Sequence, residues 1–321
     1  MKLSKLVLGA TLAFAATGAF AQGYPTKPIR WVVPYTPGGF TDNVTRMVAA
    51  QLQPILGQTI VIENKPGANS IIGVETVAKA PPDGYTLLTV ITAHAANVSL
   101  YEERMAAPAT RDLIPISLVG VSPLIMTASK LFSPNTVGEL IAYARANPGK
   151  VSFASSGVGS AAHLTSELLA HTANVEMVHI PYKGTAPAVT DLISGNVQIL
   201  VDVPSSMMQH VDSGKVKALG MFSATRLPAA PNVPTLPESG GPPIESASWV
   251  MFLAPAGTPP DIVKKLSDAV AQAVRSPELS ARFTELAIIP VGNTPAEARE
   301  YLDREVAKWK QVIKTANVKA E

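Results

Sequence analysis

Two glycine-containing turns, one in each half of the chain, carry residues that could bind a small anion. The first, residues 34–41, reads PYTPGGFT and lies between an apolar run and a helical pattern. The second, residues 151–164, reads VSFASSGVGSAAHL and repeats the order of strand, loop and helix. Glycine lets the backbone approach a ligand closely, and the first N–H groups of a helix lack an acceptor within it. Each turn therefore predicts a helix N-terminus that can bind a carboxylate or another anion.

The candidate ligand-binding residues lie in these turns and at the ends of neighbouring strands. Open α/β sheets bind ligands at the carboxyl ends of their strands, so polar and aromatic residues there belong to the same set. The candidates are Tyr35, Gly38, Gly39, Phe40, Thr41, Asp42, Thr92, His94, Asn97, Ser155, Ser156, Gly157, Gly159, Ser160, His163, Tyr182, Lys183, Gly184 and Asp202.

Several of these residues also have a structural interpretation. Asp42 is expected to hold its own loop by accepting backbone N–H groups rather than to contact an acidic ligand. Thr41 is expected to cap the following helix. His163 is expected to be structural, Phe40 is as compatible with the core as with a ligand contact, and Lys183 is compatible with a plain surface position.

The composition limits the function and the location of the protein. The chain has 321 residues, enough for two domains, and no cysteine, which excludes disulfides, thiol catalysis and cysteine-ligated metals.

Residues 1–21 combine Lys2 and Lys5 with an apolar run and a small-x-small site, which predicts a secretory signal peptide cut after Ala21. Its removal lowers the basic count from 26 to 24, equal to the 24 acidic residues, so nucleic acid is not an expected partner. No later run reaches about 18 apolar residues, so a soluble mature protein is expected, in the periplasm if the cell is Gram-negative.

The order of elements predicts an α/β protein of two domains. Short apolar strands alternate with helical patterns in residues 29–91 and again after residue 137, which favours a mostly parallel sheet flanked by helices in each domain. Domain 1 is expected to contain residues 22–124 and 224–321, and domain 2 residues 125–223. The chain would cross between them twice, near residues 122–127 and 218–225, forming a hinge under a ligand cleft. No large apolar contact between the domains is expected.

Four short motifs occur in a fixed order along the chain. They are Pro34-Tyr35-x-Pro37-Gly38-Gly39-x-x-Asp42, Pro82-Asp83-Gly84-Tyr85, Ser156-Gly157-x-Gly159-Ser160-x-x-His163-Leu164 and Pro181-Tyr182-Lys183-Gly184. In this order the chain, from about residue 24 to its end, resembles the tripartite tricarboxylate transporter substrate-binding proteins, also called Bordetella-uptake-gene-type receptors.

The resemblance implies a fold and a function. The fold would be a type II-like, two-domain periplasmic binding protein of the Venus-flytrap kind, closing on one organic acid that it delivers to membrane transporter subunits. Backbone N–H groups, hydroxyls and ordered water would hold the ligand carboxylate, in place of an arginine clamp. The resemblance also implies that a carboxylate at Asp202 can meet the amino group of an amino-acid ligand.

The alternative class is an enzyme, and its signals are weak. The five histidines form no H-E-x-x-H motif, the second turn is not a G-x-S-x-G elbow, and the third glycine of a dinucleotide loop is missing. No metal or cofactor is therefore expected. The remaining enzyme hypothesis is a secreted serine hydrolase for small esters or amides that pairs Ser155 or Ser156 with His163. For a binding protein, which we expect to be a monomer, dicarboxylates, tricarboxylates, aromatic acids and amino acids all remain possible ligands.

Overall fold

The structure is a computed structural model that describes residues 23–320. Residues 1–22, including the predicted signal peptide and its cleavage site after Ala21, and residue 321 lie outside the described residues. The strands are β1 Ile29–Val33, β2 Ile60–Asn64, β3 Thr86–Ile91, β4 Leu113–Pro123, β5 Ile125–Ser129, β6 Val151–Ser155, β7 Met177–Pro181, β8 Ile199–Asp202, β9 Val216–Met221, β10 Ala247–Pro255 and β11 Ile289–Pro290. The helices are α1 Phe40–Leu56, α2 Ile71–Ala78, α3 Thr92–Leu100, α4 Glu102–Thr110, α5 Val137–Ala146, α6 Ala161–Ala173, α7 Thr185–Ser194, α8 Pro204–Asp212, α9 Pro260–Val274, α10 Pro277–Glu285 and α11 Pro295–Thr315.

The strands form two separate sheets, as the two-domain α/β prediction requires. The first sheet has the order β11-β4-β10-β3-β1-β2, and the second has the order β7-β6-β8-β5-β9. Strand β1 is parallel to β2 and β3, and β6 is parallel to β7 and β8. The other pairs, which involve β4, β5, β9, β10 and β11, are antiparallel. The prediction of mostly parallel sheets is thus wrong, because β4 carries the chain out of the first sheet and β10 carries it back beside β4.

Helices cover both faces of the first sheet, so β1 is buried on both sides. Trp31 packs in a cluster with Leu52 of α1, whereas Val32 packs on the opposite face with Val74 of α2 and Trp309 of α11. Removing such a side chain from water stabilises the fold by about 1.5–3 kcal/mol. This two-sided burial fixes the position of the loop that leaves β1 at Val33.

The two sheets are joined through three short segments that hydrogen-bond to each other. The Leu124 N–H donates to the Ser246 carbonyl at 3.0 Å, the Phe222 N–H to the Leu124 carbonyl at 2.8 Å, and the Ser246 N–H to the Phe222 carbonyl at 3.1 Å. The chain passes from β4 to β5 at Leu124, and it passes from the second unit to β10 at Ser246. Val233 and Leu236 are buried in the clusters of the second sheet, which keeps residues 224–245 there until Ser246.

Apolar side chains also connect the two units. Leu164 of α6 is fully buried in a cluster formed otherwise by the first unit, including Trp249 and Trp309. Phe40, at the start of α1, packs against core clusters of both units. The expectation that the units lack a large apolar contact overlooked this packing. In the sequence, Phe40 and Leu164 each fit the apolar pattern of their own helix and give no sign of a contact with the other unit.

Candidate functional site

The first glycine loop leaves the N-terminus of α1 without a side-chain cap. Gly39 occupies the N-cap position, and Gly38 before it has a φ of 82°, a conformation that other residues rarely adopt. The predicted Thr41 cap is wrong: Thr41 lies inside the first turn, buried, with its carbonyl accepting from the Thr45 hydroxyl at 2.7 Å. Gly38 and Gly39 are exposed, so the N–H groups of the first turn face an accessible loop.

Asp42 holds this loop in place, as predicted. Its Oδ2 accepts from the Gly38 N–H at 2.9 Å and from Arg46 Nε at 2.9 Å, and its Oδ1 accepts from Asn64 Nδ2 at 2.9 Å. Burial acts to raise the pKa of the Asp42 carboxyl, but the bonds from Arg46, Gly38 and Asn64 outweigh it and leave the pKa below its usual value. Asn64 also donates to the Tyr35 carbonyl at 3.0 Å. Arg46 is therefore engaged in holding the loop.

Tyr35 places its hydroxyl in the interior beside this loop. The oxygen is buried and makes no hydrogen bond of normal geometry within residues 23–320, although Ser70 lies beside it. Burial raises the pKa of Tyr35 to about 12, against a smaller opposing effect of Ser70. The phenol is thus neutral at physiological pH and retains a donor.

The second glycine loop precedes α6 and is stabilised by its own side chains. Gly157 has a φ of 133° and Gly159 a φ of 76°. Ser160 caps α6 by accepting from the His163 N–H at 3.3 Å, and His163 Nδ1 accepts from the Gly159 N–H at 3.1 Å. The structural interpretation of His163 therefore agrees with the structure. Ser156 is half-buried, and its hydroxyl makes no hydrogen bond inside the described part of the chain.

Ser155 contacts a histidine that the sequence analysis did not select. Its Oγ lies 2.6 Å from His179 Nε2 and 3.1 Å from the Gly157 carbonyl, and the residue is fully buried. His179 stacks on His163 with ring centroids 3.7 Å apart. Burial, with a smaller contribution from His163, lowers the pKa of His179 to about 3. The hydrolase hypothesis paired Ser155 or Ser156 with His163, whereas Ser155 contacts His179 instead and is buried away from solvent.

A third set of candidates lies where β7 and β8 end. Gly184, with a φ of 106°, is the uncapped N-cap of α7, and Lys183 before it is exposed. The Tyr182 hydroxyl donates to Asp191 at 2.6 Å. Asp202 accepts from the Thr185 hydroxyl at 2.7 Å and from the Val203 N–H at 2.7 Å. Burial nevertheless raises the pKa of the Asp202 carboxyl.

The candidates after β3 lie deeper than predicted. Thr92, His94 and Asn97 belong to α3 and are all fully buried, so they do not line an exposed strand end. The Thr92 hydroxyl donates to the Ala247 carbonyl at 3.3 Å, and Asn97 Nδ2 donates to the Asn69 carbonyl at 2.6 Å. Thr92 and Asn97 thus hold neighbouring backbone.

Sequence reasoning missed the residues that support the two loops. Asn64 ends β2 and Asn69 lies in the turn that follows, and this position at the carboxyl end of a parallel strand was the available signal. Asn69 Nδ2 lies 3.3 Å from the Val158 carbonyl, so the second loop is within hydrogen-bonding distance of the first unit. Nothing in the local sequence around His179 indicates its contact with Ser155.

Within residues 23–320, no group of three or more histidine, cysteine, aspartate or glutamate side chains is placed to hold a metal ion. Within the same residues, no helix has both the length and the apolar character needed to span a bilayer.

Comparison with known proteins gives a consistent result. The family model of the tripartite tricarboxylate transporter family receptor, TctC, matches residues 44–318. Protein BugT of Bordetella pertussis is 35% identical over 324 residues, which cover 99% of this chain and 99% of BugT. A solved R. palustris protein with adipate has a TM-score of 0.84 at 35% identity, covering 92% of this chain and 99% of its own. A second structure, MatC from Rhodopseudomonas palustris with bound malate, has a TM-score of 0.80 at 32% identity, covering 90% and 100%.

Two α/β units with a glycine loop on each define a two-domain periplasmic binding-protein fold of the type II-like kind. Within that class, the chain belongs to the tripartite tricarboxylate transporter receptor family, as the four sequence motifs indicated.

Proposed function

We propose that this protein captures a small organic carboxylate between its two units and delivers it to a tripartite tricarboxylate-type membrane transporter. Family membership and the relatives solved with adipate and with malate support this receptor role. Dicarboxylates are therefore the first ligands to test, with amino acids second because of Asp202.

The observation that carries the proposal is the uncapped N-terminus of α1. Gly39 provides no capping side chain, and the Asp42 bonds hold the loop rigid, so its N–H groups are oriented before a ligand arrives. A hydrogen bond to a charged group contributes about 1.5–3 kcal/mol. The helix N-terminus adds about 0.3–1 kcal/mol for a nearby anion. Ser156 and the amides of the second loop supply the opposing contacts.

The location, assembly and domain limits form part of the same proposal. The mature protein is a periplasmic monomer that performs no chemistry on its ligand and meets transporter subunits as its protein partners. Its first domain contains residues 23–123 and 247–320, and its second contains residues 125–245. These limits follow the packing of residues 224–245 on the second sheet.

The test is direct binding by residues 22–321. A thermal-shift screen of dicarboxylates, tricarboxylates, aromatic acids and amino acids identifies a ligand, because a ligand that binds only the native state raises the melting temperature. Titration calorimetry then gives its dissociation constant. We expect saturable binding to one site, with the ligand recovered chemically unchanged. Recovery of a hydrolysed product, or no stabilisation by any carboxylate, would overturn the proposal.

Gly39→Val is the variant that tests the first loop. Gly39 has an ordinary φ of −77°, and the nearest atom to an added Cβ is the Thr36 carbonyl oxygen at 3.8 Å, so the fold tolerates the change. The side chain would block the α1 N-terminus and weaken binding by about tenfold or more, the equivalent of one charged hydrogen bond. Gly23→Val is the matched control, because Gly23 is exposed and has no atom within 4 Å of an added Cβ. Ser156→Ala tests the second loop in the same way.

A further inference from the structure

The turn between β2 and α2 has an unusual backbone. Ala68, Asn69 and Ser70 have φ values of 45°, 49° and 76°, three consecutive non-glycine residues in the left-handed region, directly after Gly67 at 134°. Asparagine tolerates this region, but alanine and serine rarely occupy it. Such backbone persists only where surrounding contacts determine it, and it concentrates at functional positions.

Asn97 supplies those contacts from α3. Its side chain is fully buried, and its Nδ2 donates to the Asn69 carbonyl at 2.6 Å. Its Oδ1 accepts from Asn69 Nδ2 at 2.9 Å, so the two asparagines form a reciprocal pair. The pair fixes both the strained backbone and the direction of the Asn69 amide.

The Asn69 amide then reaches the other unit. Its Nδ2 lies 3.3 Å from the Val158 carbonyl in the second glycine loop. The next residue, Gly159, fits closely against the same surface: an added Cβ would lie 2.6 Å from Leu100 Cδ1 and 3.2 Å from Asn69 Nδ2. Leu164, one turn into α6, continues this contact in the apolar cluster of the first unit. The second loop is therefore seated directly on the turn that Asn97 holds.

We propose that Asn69, oriented by Asn97, is a positioning residue that latches the second glycine loop onto the first unit and sets its distance from the first loop. It acts through the Val158 carbonyl and does not contact the carboxylate. This inference rests on the proposed receptor function for its effect on affinity, but the latch itself is a property of the protein without ligand. A ligand that needs both loops binds more weakly when the competent arrangement is less populated.

Two variants of Asn69 distinguish the effect of its side-chain hydrogen bonds from the effect of its positive-φ backbone. Asn69→Gly removes the amide but suits the positive φ, and Asn69→Asp keeps the shape and replaces the donor by an oxygen facing the Val158 and Asn97 oxygens. Asn174→Gly and Asn174→Asp are matched controls, because Asn174 has a φ of 51° and is exposed on the far end of α6.

The first readout uses the protein without ligand. The chain has no cysteine, so spin labels at Lys264→Cys and Leu131→Cys, both exposed and one on each unit, report a single inter-unit distance distribution. We expect both Asn69 variants to give a broader and longer distribution than the parent, and both Asn174 variants to match the parent. Unchanged distributions in the Asn69 variants would overturn the latch.

The second readout is the dissociation constant for the dicarboxylate selected by the thermal-shift screen. Asn69→Gly should weaken binding by about three- to tenfold, the range for one neutral hydrogen bond. Parent-like affinity in both Asn69 variants, or an equal loss in the Asn174 variants, would refute the positioning role while leaving the receptor function intact. If the parent binds no carboxylate, the receptor proposal fails and the spin-label distances still decide the latch.

Discussion

Replacing Asp42 by asparagine tests whether this carboxylate organises the first loop. An asparagine has one oxygen where Asp42 uses two, and all three of its partners, Gly38, Arg46 and Asn64, are donors. If the amide oxygen stays on Gly38 and Arg46, the amide nitrogen faces Asn64 Nδ2. Asn64 cannot turn round without losing its bonds to the Tyr35 carbonyl and to Arg46. At least one charged hydrogen bond is lost and the others weaken, which costs about 2–4 kcal/mol.

The assay is urea unfolding followed by tryptophan fluorescence. Trp31, Trp249 and Trp309 are all buried in the first unit, so fluorescence reports on the unit that contains Asp42. Asp268→Asn is the control, because Asp268 also forms an i,i+4 ion pair, with Lys264, but is exposed. Such a pair contributes about 0.3–0.5 kcal/mol.

The pH dependence gives the decisive comparison. The pKa of Asp42 is lowered in the folded protein, so its contribution to stability is complete above the unfolded pKa, near 4, and is lost as the pH falls through the folded pKa. Asparagine does not titrate. The stability difference between the parent and Asp42→Asn should therefore be largest near pH 7 and shrink below about pH 4. A difference that does not change with pH, or that equals that of Asp268→Asn, would refute the role assigned to the carboxylate.

Two further outcomes are expected. The ligand should reduce the radius of gyration of the protein in scattering without changing its monomeric mass. The chain crosses between the units only near Leu124 and Ser246, and the Asn69–Val158 contact is a single hydrogen bond that an open form would lack, so the units can close on a ligand. Tight binding without compaction would contradict closure. Thr294→Ala should lower the free energy of unfolding by about 0.5–2 kcal/mol, because Thr294 and Glu297 form a capping box at the start of α11; parent-like stability in urea would show that the cap contributes little.

Local features of the fold and site were predictable because neighbouring residues determine them. The strand-turn-helix around Gly38 follows from an apolar run, a glycine pair and an amphipathic pattern, and Thr294 with Glu297 marks the last helix. Asp42 lies four residues from Gly38, so its bond to that backbone could be inferred from spacing. The prediction that Thr41 caps α1 was wrong because Gly39 occupies the N-cap position. The helix therefore begins at Phe40, before Thr41.

Non-local features were not predictable from the same patterns. An apolar run does not reveal strand direction, so the antiparallel placement of β10 in the first sheet had no local signal. Residues 224–245 are irregular, as their proline and glycine content indicates, but single apolar residues such as Val233 and Leu236 decide which sheet they cover. The left-handed backbone at Asn69 is set by Asn97, 28 residues away, and not by glycine.

In the proposed site, an anion at the first loop would be recognised by backbone groups and not by a charged side chain. Arg46 pairs with Asp42, so the two charges next to the exposed glycines largely cancel, and in the proposed function the N–H groups of α1 would supply the attraction for an anion. Backbone N–H groups can bind any carboxylate, because they donate hydrogen bonds to its oxygens and make no contact with the rest of the molecule. Selectivity then depends on the side chains around them. Asp202 is largely buried, burial raises the pKa of its carboxyl, and in the proposed site it would accept a hydroxyl or amino group of the ligand. In such a site the backbone binds the carboxylate, and a few side chains determine which molecule is bound. Those side chains can change without disturbing the loop.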